Sequence, residues 1–205
     1  MERKFTHLHL HTPYSLLDGF ATIEDTIKKA KEDGMDAVAI TDHGVMFGVV
    51  EFYKVALNYG IKPIIGCEVY VSYRTRFDKE NIDKRSYHLI LLAENNTGYQ
   101  NLIKLVSLGF VEGYYYKPRV DIDLLKSYSE GIIALSACLA GEVQQSLLNN
   151  NYEEAKKVAC RYREIFGEDN FFLELQNHGI EEQLKVNHLL RRLSLDTGIP
   201  LVATN

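Results

Sequence analysis

Apolar and polar positions along this chain follow two periods, and their succession sketches the fold. The opening stretch FTHLHLH (5–11) runs at period two, with His7, His9 and His11 on one face and Leu8 and Leu10 on the other, which predicts a strand. TIED (22–25) has the form of a capping box and opens a helix carrying Ile23, Ile27 and Ala30, closed by Gly34. The apolar run DAVAIT (36–41) predicts a buried strand, 47–59 a helix stopped by Gly60, and KPIIGCEVYVSY (62–73) a third strand. Residues 74–86 are polar and charged and are expected to be mobile. A fourth strand at 87–95, a helix at 99–110 and a short helix within YYYKPRVDIDLLKSYSEG lead to a fifth strand, GIIALSAC, ending at Cys138. Helices at 141–148 and 152–166, a sixth strand NFFLELQNH (170–178), a helix at 180–196 and a seventh strand IPLVATN complete the pattern.

Strand and helix thus alternate about seven times with short connections, which indicates a parallel sheet covered by helices. An open doubly wound sheet and a closed barrel both satisfy the pattern. Residues able to bind metals gather at the carboxyl ends of several strands: His9 and His11, Asp42 and His43, and Cys138. A barrel brings all such ends to one face, whereas a doubly wound sheet joins only those beside its switch point. The expected fold is therefore a barrel.

Composition narrows the setting. The 205 residues suffice for one sizeable domain, and 46% hydrophobic with 25% charged residues describes a globular chain. No apolar run reaches a membrane span and the first residues lack an export signal, so neither membrane nor secretion is expected. Cys67, Cys138 and Cys160 are too widely spaced for a disulfide framework and suit a reducing cytoplasm. A net charge of -5 argues against a general nucleic-acid clamp. Two or three divalent cations would add about +4 to +6 in one cleft and reverse that argument locally.

The candidate chemistry points the same way. Neutral imidazole is the commonest metal ligand, and His9-x-His11 aims two rings at one point. Glu68 lies in the apolar run IIGCEVYV, where a carboxylate is costly to bury without a cation; it bridges two ions, or else ends its strand in solvent. Asp18 sits beside Gly19 in a tight turn. Asp42 either caps a helix or supports His43, and Cys138 is either a ligand or a small core residue. Cys67 and Cys160 are assigned to packing. His88 begins its predicted strand although a ligand should stand near an end; His178, which ends a strand containing Glu174, competes with it on pattern. His7 lies deeper than His9 and packs or supports a ligand, and His188 is ordinary. Lys117 and Arg119 follow three tyrosines, a set able to meet phosphates and stack on bases, or else a solvated loop. No Ser-His-Asp or Cys-His arrangement stands out.

HLHLHTPYSLLDG, AITDHG, GCEVY, YHLILLAENNTGYQNL, SACLAGEV, FFLELQNHG and PLVATN, in this order and across essentially the whole chain, resemble the PHP (polymerase and histidinol phosphatase) domain at the N-terminus of bacterial DNA polymerase III alpha subunits. The resemblance implies a single PHP domain over 1–205, a distorted seven-stranded (β/α)7 barrel with a trinuclear metal site at the strand carboxyl ends. Residue by residue it implies His9 and His11 on one ion, which shares Glu68 with a second completed by His88 and Cys138, and Asp18 and His43 on a third. His178 falls outside that set, to stand with Asp42 and His7 as a supporting candidate. The family continues past ATN with an Asp-x-His pair, whereas this sequence stops at Asn205, so it looks excised from a larger polymerase chain.

The implied activity is metal-dependent phosphodiester hydrolysis by activated water, as a 3′→5′ proofreading exonuclease. Cys138 and four histidines lean toward zinc, while Glu68 and Asp18 admit manganese. The implied partners are a DNA 3′ end, the remainder of the alpha chain and a separate proofreading subunit; polymerase activity belongs to the parent chain. Two alternatives remain open: a phosphomonoesterase of histidinol-phosphatase type, and a metal-stabilised scaffold that docks the proofreading subunit. Ligands are degraded in some members of the family, but every matched position here holds a competent one.

Overall fold

In the computed structural model, which describes residues 5–204, the first half of the chain builds one edge of a sheet. Helix α1 (Ile23–Glu32) begins where Thr22 accepts a hydrogen bond from the Asp25 backbone N–H, and α2 (Val49–Tyr59) ends at Gly60 in the left-handed region. Ile23, Ile27, Val49 and Phe52 from these helices pack on β1 (Ala37–Ile40) through Val38 and Ile40. Strand β2 (Lys62–Ser72) runs parallel to β1 and then pairs antiparallel with β3 (Ser86–Ala93). After α3 (Asn96–Val111), the two residues of β4 (Arg119–Val120) join the far end of β2, and α4 (Ile122–Ser127) follows.

Strand β5 (Ile132–Leu135) returns beside β3, and α5 (Glu142–Leu148), α6 (Tyr152–Phe166), β6 (Phe171–Leu175), α7 (Glu181–Thr197) and β7 (Leu201–Ala203) add parallel strands with helices outside. The strand order is β1-β2-β3-β5-β6-β7, with β4 off this path on β2. The sheet curls into a half-barrel, the distorted barrel that was expected. Ala39, Ile90, Leu92, Leu135 and Ala137 fill its concave side, and a larger core lies between its convex side and the outer helices.

Four expectations need correction. The opening stretch is not a regular strand: His7 makes one parallel bridge to Val38, and the chain bends at His9. The bend breaks the period-two reading, so Leu8 packs on the inner cluster while Leu10 packs against the α1–α2 cluster. The sheet is mixed, because β3 is antiparallel to both neighbours. No α-helix crosses between β2 and β3, and strands joined without a crossover return antiparallel. Strand β4 was not anticipated. Asn205, the last residue of the seventh expected strand, lies outside the described residues.

Lastly, the 74–86 segment, expected to be mobile, is packed against the fold. It contains a 3-10 turn, Asn81–Lys84, and is held by partly buried ion pairs. Arg74 pairs with Asp83, and Arg76 reaches Glu112 at 2.7 Å and Asp121 at 3.0 Å. At its centre is Arg119, only 1% exposed. Its Nε donates to Gly113 O (3.0 Å), Nη1 to Asp83 O (3.1 Å), and Nη2 to Arg76 O (3.0 Å) and Asp78 O (2.8 Å). The guanidinium satisfies backbone carbonyls that have no ladder partner, which is how a long loop stays packed.

Candidate metal centre

Alternation along β2 decides which side chains can meet. Glu68 and Tyr70 stand opposite Ile90 and His88 across the β2–β3 ladder, on the concave side. Cys67, Val69 and Val71 point the other way into the outer core, so Cys67 packs, as expected. Because β3 is reversed, its first residues, not its last, lie at the mouth of the barrel. His88 therefore faces Glu68 from the beginning of its strand, and the objection to it from strand position disappears.

Beyond β1 the ladder continues: Glu68 N–H donates to Asp42 O (3.1 Å) and Gly44 N–H to Glu68 O (2.8 Å), which sets His43 beside Glu68. Asp42 is not a helix cap, since Gly48 occupies that position of α2. Its carboxylate accepts from Thr12 N–H (2.7 Å), Thr12 Oγ1 (2.7 Å) and Ser15 Oγ (2.6 Å), folding residues 12–19 over the cleft. Ser15 Oγ accepts from His43 N–H (3.0 Å) and lies 3.2 Å from His11 Nδ1, tying two imidazoles to one buried carboxylate. The turn closes at Gly19, where a Cβ would stand 1.8 Å from Thr12 O. It carries the exposed Asp18 to 2.7 Å from His43 Nε2.

Four imidazoles converge on Glu68, which is 1% exposed. His9 Nε2 lies 2.6 Å and His11 Nε2 3.1 Å from Oε2. His88 Nδ1 lies against Oε1, and His43 Nδ1 is 3.4 Å from it. Cys138 Sγ stands 3.7 Å from His88 Nδ1. Three sets of potential ligand atoms, His9–His11–Glu68, His11–Asp18–His43 and His43–Glu68–His88, each lie within 4.8 Å of one another. The cleft they line, with Leu10, Gln176 and His178, has a volume of about 440 Å³.

The electrostatics are those of a cation site. Burial opposes charge on His9, but Glu174 and Glu68 outweigh it and push the imidazole up to about 10. Burial likewise disfavours ionised Glu68, yet the surrounding imidazoles of His11, His43, His88 and His9 hold it well below the usual carboxylate range. Burial and then Glu68 push the Cys138 thiol up to about 12, so positive charge must arrive before it ionises. Buried Glu68 Oε1 and His43 Nδ1 have no hydrogen-bond partner despite their closeness. Nitrogen and carboxylate lone pairs facing one another at such distances fit divalent cations.

The structure thus brings His9, His11, Asp18, His43, Glu68, His88 and Cys138 to one cleft. His178 reaches only its exposed rim, with its backbone and ring bonded to Gln183. His7 turns away at the bend and lines a separate cavity with Phe5, His188 and Arg191. Arg119, proposed as a substrate contact, is buried and gives four of its five N–H donors to backbone carbonyls, a structural role. Sequence reasoning missed Glu174, whose Oε1 lies 2.7 Å from His9 Nδ1. The reasoning that selects Glu68 from IIGCEVYV selects Glu174 from FFLELQ equally well.

Comparison with known proteins places the chain in a family. The family model described as PHP domain matches residues 7–178. The DNA polymerase III subunit alpha of Treponema pallidum is 51% identical over 98% of this chain, and that of Borreliella burgdorferi 50% over 98%. The chain spans 17% and 18% of the length of these two relatives. Among solved structures, an amidohydrolase from Chromobacterium violaceum, described with bound sulfate and no metal, aligns with a TM-score of 0.63 at 15% identity, over 98% of this chain and 86% of its own. A two-domain protein from Bacteroides vulgatus, described as containing a predicted PHP-like metal-dependent phosphoesterase, aligns at 0.57 and 16%, over 98% and 50%. These two similarities support the fold.

Proposed function

Because the chain belongs to the PHP domain family, we propose that its cleft binds two or three divalent cations and hydrolyses phosphate esters, acting in a replicative polymerase as a 3′→5′ proofreading exonuclease. One observation carries the reading: a buried carboxylate, Glu68, meets four imidazoles from three separate segments. His9, His11 and Glu68 would hold one ion, Glu68, His88 and Cys138 a second, and Asp18 and His43 a third. When bound, such cations acidify a water and offset charge on phosphate oxygens, so the cleft needs no side-chain nucleophile. Its one thiol and four imidazoles favour zinc, and the carboxylates of Glu68 and Asp18 admit manganese.

The chain's own residues supply order and access. Asp42, through Thr12 and Ser15, holds the loop that presents Asp18 and orients His11 and His43. Lys117 Nζ lies 4.2 Å from the Tyr70 ring centroid, and Tyr70 stacks on His43, so Lys117 stands beside the cleft where the phosphate of an entering strand would pass. Exposed Tyr114 and Tyr116 offer faces for unpaired bases. This reading assigns a cytoplasmic setting within a longer alpha chain, with a DNA 3′ end as substrate and a separate proofreading subunit as neighbour.

The test is metal content by elemental analysis of the intact protein and of its His9→Ala/His43→Ala variant, followed by assays on 3′-labelled single-stranded DNA and on a small phosphomonoester. Two or three equivalents of zinc or manganese, lost in the variant together with release of 3′ nucleotides, are expected. Hydrolysis of the small ester alone would replace the exonuclease with a phosphomonoesterase. Metal without hydrolysis would leave a scaffold, and less than one equivalent in the unaltered protein would sink the reading.

A further inference from the structure

The half-barrel has a seam. Among the described residues β7 does not pair with the segment around His7, and a cavity of about 810 Å³ opens between them, bounded by Phe5, His7, Ala203 and Thr204. Beside this cavity one polar bridge crosses the seam. Glu174 Oε1, on β6, lies 2.7 Å from His9 Nδ1 and also accepts from Gln176 Nε2 (2.8 Å) and from Thr204 Oγ1 just past β7. Glu174 is 1% exposed, and its backbone N–H donates to Ser136 Oγ (2.8 Å), which fixes the strand from behind. The other face of the same imidazole presents Nε2 to Glu68 and His11.

A histidine ring has one lone pair to give when neutral, and the hydrogen bond at one nitrogen decides which nitrogen keeps it. Both Glu174 Oε1 and Gln176 Nε2 lie within reach of His9 Nδ1, at 2.7 and 3.0 Å. The carboxylate can only accept, so it selects the tautomer with hydrogen on Nδ1; the amide N–H would select the opposite one. Glu174 is nearer and charged, and Gln176 already donates to it.

We propose that Glu174 is a positioning residue: it holds the proton of His9 on Nδ1 and the Nε2 lone pair on the cleft. The proposal rests on the metal-site reading above. A ligand histidine whose far nitrogen loses its partner typically binds metal 10–100-fold more weakly.

Cobalt(II) titration of the intact protein, followed by its visible ligand-field bands and by competition with a chelator, tests this without any activity measurement. Glu174→Gln should weaken one equivalent about 10–100-fold and leave the remaining equivalents within about twofold. Uniform weakening of all equivalents, or none, would refute a role through His9. Gln176→Met provides an independent arm should Glu174→Gln not fold. It leaves the carboxylate in place and should hold affinity within about twofold, whereas a tenfold loss would mean the amide sets the tautomer and would overturn the proposal. Failure of the unaltered protein to take up cobalt would defeat the metal reading itself, a result distinct from equal uptake by protein and variant.

Discussion

Replacing Arg119 with leucine separates a structural arginine from a nucleic-acid contact. The side chain is buried and its four hydrogen bonds to carbonyls span 2.8–3.1 Å. A hydrogen bond to a charged group contributes about 1.5–3 kcal/mol, but a buried guanidinium has also given up its water, so four such values do not simply add. Removing one partner of a buried charged network costs about 3–5 kcal/mol. In a domain of this size that corresponds to a fall of ~10 °C in thermal midpoint. Leucine would leave the carbonyls of Arg76, Asp78, Asp83 and Gly113 without donors, and the 74–85 loop should release first.

The assay is thermal unfolding of the intact protein, combined with backbone hydrogen exchange over residues 74–85. Arg119→Lys should lose most of the stability too, since a single ammonium cannot span carbonyls that a planar fork reaches together. A phosphate contact would behave differently: lysine would preserve the charge, and leucine would lower the salt dependence of DNA binding without unfolding the loop. A stability change below about 1 kcal/mol with unchanged exchange would refute the structural assignment.

Three further outcomes follow from the same contacts. Lys117→Ala should weaken single-stranded DNA binding and reduce the salt slope by about 1 in a filter-binding titration, with stability altered by less than about 0.5 kcal/mol. Gly141→Ala should cost about 1–3 kcal/mol in chemical denaturation, because its Cβ would stand 2.1 Å from Ser136 O and displace the turn carrying Cys138. With metals removed by chelator, His9 favours the folded state through its protonated form. Its contribution is full below the ordinary value of 6.5 and is lost as pH rises through about 10. The pH-dependent part of the stability difference between the protein and His9→Ala should therefore shrink across that window, and a difference that grows with pH would contradict the ion pairs with Glu174 and Glu68.

Much of this molecule is legible in one dimension because local chemistry imposes it. Thr22 begins a helix and Gly60 ends one in the protein as in the sequence, and the strand-helix alternation with ligands at strand ends points to a barrel before any coordinates exist. Glu68 stands out because an ionised carboxylate in an apolar run demands a partner wherever the run is placed. Strand direction is written there too: the stretch between β2 and β3 contains no crossover helix, which reverses β3 and brings His88 to the site. What only tertiary structure decides is which groups share a neighbourhood across long sequence separations. Arg119 meets carbonyls up to 43 positions away, and its burial follows from an irregular loop whose donors no periodicity reveals. Glu174 meets His9 across 165 positions, and neither residue's surroundings in sequence specify the other. Hydrophobic pattern determines the layers of a fold, because burial is nondirectional and roughly additive in area. Polar partnerships are directional and short-ranged, and they are settled only when the layers close.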